Sequence, residues 1–323
     1  MYSNMGEVMR MSDRIGRRIK LQDLHILMAV VQAGSMGKAA RHLNTSQPNI
    51  SKSIADLEQV LGVRLLDRHR QGVEPTEYGR ALIDGGVAVF DELRQTVKNI
   101  EFLADPAAGE VRIGCTPALA ASFASAVVDR LSRRYPRMMF HLATGYVEAL
   151  HHELSERNVD LLVARRFGPI ADERLGFEVL FDDSCVVVAG AQSPWARRRR
   201  IELAELVNEP WVLPPRGSGT IGSFATEAFG ARGLDYPRTA VVTDSLQVRM
   251  SLLATGRFLA IFAASTLRFP TRRPDLKVLP IELPIVRVPV GIVTLKNRTL
   301  SPVAKLFIED AREAARPFNR IRR

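Results

Sequence analysis

The sequence predicts a multidomain protein in which a small helical unit, one long helix and an α/β region follow one another along 323 residues. Three observations favour this fold class. Short helical periods with capping residues fill positions 21–62, no proline interrupts positions 77–103, and strand-like and helix-like segments alternate from position 110 onward. A chain of this length has room for two or three hydrophobic cores.

The composition is that of a globular protein, with 46% hydrophobic and 25% charged residues. The apolar run at residues 251–265 is broken by Arg257 and is shorter than the ~18 residues that a bilayer crossing needs. Residues 1–20 carry charge but no apolar stretch, which predicts a flexible extension and not a secretory signal. We therefore expect a cytoplasmic protein without a membrane partner.

Two cysteines, Cys115 and Cys185, are too few for a disulfide framework or a structural zinc site. Both lie in strand-like runs, where burial makes a thiol inert, so packing is the main interpretation and a redox role the alternative. We expect neither a metal nor a cofactor.

The net charge of +10 favours polyanionic partners. Residues 1–105, however, carry 14 basic and 13 acidic side chains, so the excess lies further along the chain. It includes four consecutive arginines at 197–200, for which a solvated loop is the main interpretation and a DNA or subunit contact the alternative. DNA binding must therefore be argued from a motif.

Residues 24–62 have the periodicity of three helices joined by tight turns. Apolar residues at 24–31 follow the i, i+3, i+4, i+7 spacing of one helix face. Gly34 suits a left-handed helix stop, and Ser35 suits the next N-cap. Pro48 fits the first turn of a third, longer helix. Helix, short helix, tight turn and longer helix together predict a helix-turn-helix.

Polar side chains open the outward face of the third helix. Glutamine and asparagine pair bidentately with adenine, serine bonds several base edges, and lysine reaches phosphate or guanine; a merely solvated face is the alternative. The following "VRLLDRHRQGVEPT" predicts two short strands, a wing whose arginines face the DNA backbone or minor groove. The predicted DNA-contacting residues are Ser35, Ser46, Gln47, Pro48, Asn49, Ser51, Lys52, Arg68 and Arg70.

A long helix follows the wing. Thr76 is a suitable N-cap, and the apolar residues beyond it repeat at +3 and +4, as in a coiled-coil seam of about three heptads. A lone helix of this kind would leave its seam in water, so we expect it to pair with a second copy; packing onto its own domain is the alternative. The predicted dimerisation residues are Ile83, Phe90, Leu93, Val97 and Ile100.

The region from residue 110 predicts α/β architecture with largely parallel sheets, arranged in two lobes because two series of strands and helices succeed each other. Ligands of such sheets bind beyond the carboxyl ends of the strands. The residues predicted to lie at these ends and to bind a small ligand are Thr116, Pro117, Thr144, Arg166 and Ser245.

"GSGTIG" at 217–222 fits the dinucleotide pattern G-x-G-x-x-G, yet two prolines stand where the preceding strand should end. The nearest acidic candidate, Asp235, precedes the next strand instead of ending it. We therefore predict no nicotinamide cofactor. Arg216, Ser218 and Thr220 remain candidates for one small polar or anionic group, with a ligand-free helix cap as the alternative.

No nucleophile elbow, Walker A loop, metalloprotease helix or paired C-x-x-C occurs in the sequence, so we expect no enzymatic activity. His151 and His152 are adjacent on a predicted helix and point about 100° apart, which does not suit a shared metal.

The stretch "AARHLNTSQPNISKSIADLEQVLGVRLLDR", continued by "GVEPTEYG", resembles the DNA-binding domain of the LysR-type transcriptional regulators. The family pattern runs in register from Gly34 to Gly79. Two residues depart from it: Asn49 replaces a small apolar residue, which puts operator preference in doubt, and Leu66 replaces a common phenylalanine.

The resemblance implies an N-terminal all-α winged helix-turn-helix with a long linker helix, then an α/β two-lobed periplasmic-binding-protein-like sensor domain. It also implies dimerisation through the linker, double-stranded operator DNA, RNA polymerase and a homodimer or homotetramer as partners, and chain crossings between lobes near residues 180 and 286. The domains expected are an extension at 1–20, the winged helix-turn-helix at 21–78, the linker at 79–105 and the effector-binding domain at 106–323, with lobe I about 106–181 and 287–323 and lobe II about 182–286.

The expected function is sequence-specific transcriptional regulation controlled by a small-molecule effector between the lobes. Similarity of "RIKL" and "RHRQGVEPTEYGRAL" to particular family members suggests an aromatic acid or a sugar-related metabolite. Thr116, Arg166 and Arg216 favour an anionic one. The alternative is a small-molecule binding protein whose DNA binding is non-specific.

Overall fold

The computed structural model describes residues 18–69, 72–166, 172–217, 219–268, 274–283 and 288–319. The chain forms two compact units, Met1–Arg94 and Gln95–Arg323. Residues 1–17 of the predicted extension lie outside the described ranges. Among the described helices, none combines the length and hydropathy of a membrane-spanning segment.

The first unit is a winged helix-turn-helix. Its elements are α1 (Leu21–Ala33), α2 (Met36–His42), α3 (Gln47–Leu61), β1 (Leu66–His69) and β2 (Gly72–Pro75). The capping residues act as predicted: Gly34 ends α1 at φ 64°, and the Ser35 Oγ accepts from the Lys38 backbone N–H at 3.4 Å. Leu27, Ile50 and Ile54 are fully buried where the three helices meet.

Helix α4 (Glu77–Ala104) follows the wing as one uninterrupted element of 28 residues, about 42 Å long. The Thr76 hydroxyl caps it, accepting from the Gly79 N–H at 3.0 Å and donating to the Arg64 carbonyl at 2.7 Å. The helix begins in the first unit and ends in the second.

The second unit contains two five-stranded sheets. The first has the order β4-β3-β5-β12-β6 and is built from β3 (Ala108–Cys115), β4 (Arg137–Thr144), β5 (Leu161–Arg165), β6 (Leu175–Asp183) and β12 (Val288–Leu295). The second has the order β11-β7-β10-β8-β9 and is built from β7 (Cys185–Gly190), β8 (Trp211–Leu213), β9 (Thr239–Val242), β10 (Leu259–Ala263) and β11 (Leu276–Val278).

The chain passes from the first sheet to the second at Ser184 and returns between β11 and β12. The prediction of largely parallel sheets was wrong for half of the strand pairs. Strand β12 is antiparallel to β5 and β6, and β7 is antiparallel to β10 and β11. These strands enter a sheet directly from the other lobe, without the helical crossover that a parallel neighbour requires.

Helices cover both sheets. They are α5 (Pro117–Leu119), a π-helical turn (Ala120–Ala124), α6 (Ser125–Arg134), α7 (Val147–Ser155), α8 (Gly219–Gly230), α9 (Leu246–Ala254), α10 (Ala264–Arg268) and α11 (Pro302–Asn319). Phe123, Phe181 and Phe307 are fully buried in the first lobe. Trp211 and Phe229 meet edge to face at 5.6 Å in the core of the second.

A buried ion pair fixes the base of the first lobe. The Arg298 Nη2 donates to Asp160 Oδ1 at 3.0 Å, and its Nη1 donates to the Val159 carbonyl at 2.5 Å. The Asp160 carboxylate also accepts from the Arg112 backbone N–H at 2.9 Å. Both side chains are at most 4% exposed, so this ion pair is the main compensation for burying the two charges, with the Lys98 Nζ at 3.9 Å as a more distant partner of Asp160.

Arg298→Met is therefore expected to lower the free energy of unfolding of the second unit by about 3 kcal/mol, since it leaves Asp160 buried with a weakened set of partners. Denaturant unfolding measures the change. Arg312→Met is the matched control: Arg312 pairs with Glu178 at 2.6 Å, but both side chains are more than 40% exposed, so the expected loss is below about 1 kcal/mol. Equal losses in both variants would contradict the assignment.

Candidate nucleic-acid interface and ligand cleft

The first turn of α3 presents the predicted reading face. Ser46, Gln47, Pro48, Asn49 and Lys52 are exposed, and Ser51 is half-buried. Two of the predicted residues cap helices with their hydroxyl groups. Ser46 caps α3 by accepting from the Asn49 N–H at 3.4 Å, and Ser35 caps α2. The Asn49 Nδ2 donates to Thr45 Oγ1 at 3.3 Å, so this amide is oriented before any DNA arrives.

Three residues that the sequence analysis did not select hold the reading face in position. The Ser53 hydroxyl donates to Asp23 Oδ1 at 2.7 Å and so ties α3 to α1. The Glu58 carboxylate accepts from the backbone N–H groups of Leu65 and Leu66 at 2.7 and 3.3 Å, where the wing begins. The first contact joins residues 30 apart in sequence, and the second joins α3 to the segment just beyond its end, so helical periodicity carries no signal for either.

The wing is attached to the α1–α2 turn. The Val73 N–H donates to the Gly34 carbonyl at 3.1 Å, and a Cβ at Gly72 would lie 2.7 Å from that oxygen, so only glycine fits there. Arg68 pairs in register with Val73 and has an exposed side chain, as a backbone contact requires. Arg70 lies outside the described residues.

The predicted dimerisation seam of α4 divides into two halves. Ile83 packs against the core of the helix-turn-helix unit, and the Phe90 ring lies 5.9 Å from that of His25, so both have partners within their own chain. Leu93, Val97 and Ile100 are 45%, 52% and 61% exposed. Two further exposed apolar residues, Val89 and Leu103, extend the same stripe and were not among those predicted.

The candidate ligand cleft lies between the lobes, where the segments beyond the carboxyl ends of β4 and β9 meet. Tyr146 follows β4 in the chain, and Asp244 follows β9. The Tyr146 hydroxyl donates to Asp244 Oδ2 at 3.2 Å. The charge of Asp244 and this hydrogen bond raise the pKa of Tyr146 above its ordinary value. This pairing was not predicted, because it joins positions 98 apart in sequence.

A buried carboxylate joins the lobes at their crossing. Asp183, the last residue of β6, accepts from Arg165 Nη2 at 2.8 Å, from the Ser265 hydroxyl at 2.5 Å and from the Ser265 N–H at 3.1 Å. Arg165 ends β5 of the first lobe, whereas Ser265 follows β10 of the second. All three residues are buried.

The predicted ligand residues are distributed unevenly around the cleft. Thr116 stands at the end of β3, just before Pro117 opens α5, and its buried Oγ1 has no hydrogen-bond partner among the described residues. Thr144 is exposed at the end of β4. Ser245 caps α9 by accepting from the Val248 N–H at 3.3 Å. These residues lie at strand ends, as expected.

The predicted arginines point elsewhere. The Arg166 guanidinium lies 5.0 Å above the ring of Phe177, which lies back along the sheet from the strand end. That of Arg216 lies 4.8 Å above the ring of Tyr236. Ser218 lies outside the described residues, and of Thr220 only its place in α8 is described.

Both cysteines are poor nucleophiles. Burial raises the pKa of Cys115 to about 12, and burial together with the charge of Asp183 raises that of Cys185 to about 12. Across the described part of the chain, no group of three or more histidine, cysteine or acidic side chains is placed to hold a metal ion.

Two family models match the chain, one over each part. The LysR substrate binding domain matches residues 104–316, and the bacterial regulatory helix-turn-helix protein of the lysR family matches residues 21–80. Two regulators are similar along nearly the whole length. GbpR of Azospirillum brasilense is 27% identical over 92% of this chain and 87% of its own, and GltC of Bacillus subtilis (strain 168) is 27% identical over 90% and 96%.

Solved structures share the fold. Full-length CbnR in complex with its target DNA is 21% identical, has a TM-score of 0.61, and the match covers 92% of this chain and 100% of that chain. A full-length OxyR variant from Pseudomonas aeruginosa is 20% identical, with a TM-score of 0.63 and coverage of 93% and 97%.

Both family matches indicate one class of protein, namely regulators that bind DNA through a helix-turn-helix and an effector through a separate domain. Because the substrate-binding match alone covers well over half of the sequence, this chain belongs to the LysR family of bacterial transcriptional regulators. The predicted fold class and family are thereby confirmed. The family consists of transcriptional regulators, which are not enzymes.

Because the thiolate is the reactive form, neither Cys115 nor Cys185 is expected to be alkylated by iodoacetamide at mildly alkaline pH while the protein is folded. Mass spectrometry after a timed reaction measures this, and the same reaction in guanidinium chloride, where both thiols should react, is the control. Rapid labelling of either thiol in the folded chain would restore the redox alternative.

Proposed function

We propose that this regulator reads a specific operator through the first turn of α3 and the wing. The observation that carries the proposal is the exposed, pre-capped sequence Ser46–Gln47–Pro48–Asn49, held against α1 by the hydrogen bond between Ser53 and Asp23. A solvated helix face needs no such fixation, whereas reading base edges requires side chains held in one geometry.

The cleft between the lobes is the proposed effector site, and population shift is the proposed mechanism. Asp183 joins the lobes through buried hydrogen bonds, while the Tyr146–Asp244 contact across the cleft is exposed and weaker. A ligand that binds one degree of closure better than another shifts the lobes toward it. We expect an anionic metabolite, either an aromatic acid or a sugar-related compound.

Helix α4 offers a route by which the first lobe influences the linker. The Lys98 Nζ lies 3.2 Å from Glu110 of β3, and Phe102 packs against the core of the first lobe. Burial alone would raise the pKa of Glu110, but the hydrogen bond and charge of Lys98 outweigh it and hold that pKa below its ordinary value. The last turns of α4 therefore move with the first lobe.

The alternative is a small-molecule binding protein with non-specific DNA affinity. A DNase footprint on the DNA upstream of this gene, at physiological salt, separates the two. A discrete protected region with a hypersensitive site supports operator reading and bending. Diffuse protection that salt abolishes supports the alternative. RNA polymerase as a partner and a cytoplasmic location belong to the same proposal.

Substitutions on the reading face should separate base reading from phosphate binding. Gln47→Ala is expected to lose about 1–3 kcal/mol of discrimination at one base pair. Arg68→Ala should weaken binding to all sequences and reduce the slope of log K against log salt by about 0.9. Fluorescence anisotropy with operator and single-base variants measures both effects. Arg133→Ala, an exposed arginine of α6, is the control, and a uniform loss in Gln47→Ala would refute the placement of Gln47.

Dimerisation is proposed to use the exposed half of the α4 stripe. Val97→Glu combined with Ile100→Glu should shift the protein from dimer to monomer, because charges would replace apolar side chains that are 52% and 61% exposed in one chain. Light scattering after size exclusion measures the mass. Arg94→Glu, outside the stripe on the same helix, should leave the mass unchanged. A double variant that remained dimeric would move the interface elsewhere.

A further inference from the structure

Arg249 is a buried cation that no carboxylate among the described residues contacts. Its side chain is 6% exposed, its Nη1 donates to the Ile261 carbonyl at 3.3 Å, and its guanidinium lies 4.8 Å above the Phe262 ring. Its Nε is buried and has no hydrogen-bond partner in the same part of the chain. The other two buried arginines that the structure describes, Arg165 and Arg298, each touch an aspartate.

This arrangement is costly for a charge. Burial lowers the pKa of Arg249, and the charge of Asp244 offsets that effect only in part. A guanidinium withdrawn from water is ordinarily neutralised by a carboxylate that contacts it. Where a buried N–H of the guanidinium makes no hydrogen bond, the protein lacks the stabilisation that such a bond would give. A ring face and one backbone carbonyl compensate for the lost hydration incompletely. The structure around Arg249 is therefore suited to receive an anion.

Arg249 also lies beside the cleft. It is in the second turn of α9, whose N-cap Ser245 follows the carboxyl end of β9. Its two contacts, Ile261 and Phe262, are near the carboxyl end of β10. Because β8 runs parallel to both β9 and β10, these strand ends share one edge, which is where ligands of such sheets bind.

The nearest acidic group is engaged elsewhere. The Asp244 carboxylate accepts the Tyr146 hydroxyl of the first lobe at 3.2 Å, and no ion pair joins it to Arg249. Asp244 therefore acts on Arg249 through its charge but without a contact, and that charge offsets the cost of burial only in part.

We propose that the effector carries a carboxylate and that Arg249 is the residue that selects for it, with the ligand supplying the carboxylate contact that Arg249 lacks among the described residues. The inference rests on the proposed function, because it names the chemical class of the ligand of the same cleft. It assigns anion selection to the buried Arg249, which was not selected from the sequence, in place of Arg166 and Arg216, whose side chains are exposed.

The change in melting temperature of an Arg249 variant distinguishes a ligand-binding role from a purely structural one. Arg249→Met preserves the length of the side chain and removes the charge. If Arg249 awaits an anion, this variant should have an unchanged or higher melting temperature without ligand, because an unneutralised buried charge is gone. If Arg249 only stabilises the packing of α9 on β10, the melting temperature should fall.

The experiment measures the melting temperature of the full chain with paired probes, each a carboxylate and its neutral analogue: benzoate and benzamide, gluconate and glucose, succinate and succinamide. At a hundredfold excess over Kd, a bound carboxylate should raise the melting temperature by about 5–10 °C, and its neutral analogue should do less. Arg249→Met should abolish the difference, and Arg249→Lys should restore part of it. Arg257→Met, an exposed arginine above Phe258, is the matched control and should retain it.

Three results would overturn the proposal: wild-type protein that does not distinguish any carboxylate from its neutral analogue, Arg249→Met protein that still distinguishes them, or a lower melting temperature of the unliganded variant. A DNase footprint of the wild-type and Arg249→Met proteins on the operator distinguishes a failure of the Arg249 proposal from a failure of the proposed function. Loss of the carboxylate preference with an intact wild-type footprint refutes only the role of Arg249. Absence of a discrete wild-type footprint refutes operator reading itself.

Discussion

The carboxylate of Asp183 is buried, so its oxygens need hydrogen-bond donors from the surrounding protein, and this requirement organises the cleft. Arg165 approaches from β5 and Ser265 from the segment after β10, so neutralising one charge fixes the point where the two sheets meet. The contact between Tyr146 and Asp244 is made by an exposed side chain and is easily replaced by water. Further contacts join the lobes: α10 of the second lobe packs on the π-helical turn of the first, and the Arg268 guanidinium lies 5.2 Å above the Phe318 ring.

The sequence was most informative where a single residue determines local geometry. Gly34, Ser35, Ser46 and Thr76 cap helices as their chemistry requires, and the absence of proline predicted the full length of α4. Capping and periodicity act within a few residues, so they can be recognised from the sequence without knowing the fold. The helix-turn-helix and the residues that cap its helices were accordingly predictable.

The ligand cleft was predictable only in outline, because its contacts join residues far apart in the chain. Two adjacent arginines end β5, and nothing local distinguishes Arg165, which reaches Asp183, from Arg166, which lies above Phe177. The antiparallel insertion of β12 depends on the return of the chain from the second lobe. Ile83 has the spacing of the predicted dimerisation seam, yet its side chain packs against the helix-turn-helix core. Periodicity shows that a side chain lies on an apolar face, but it does not show which part of the protein that side chain packs against.

The continuity of α4 has a consequence for cutting this protein into pieces. Lys98 and Phe102 belong to the linker in sequence, but one neutralises Glu110 and the other completes the first-lobe core. A fragment beginning at residue 106 would expose that apolar surface to water and leave two acidic side chains, Glu110 and Asp160, without the nearby ammonium. A sensor fragment that starts near Gln95, where the compact second unit begins, keeps both. The natural place to divide the chain is therefore inside a helix and not at the loop that follows it.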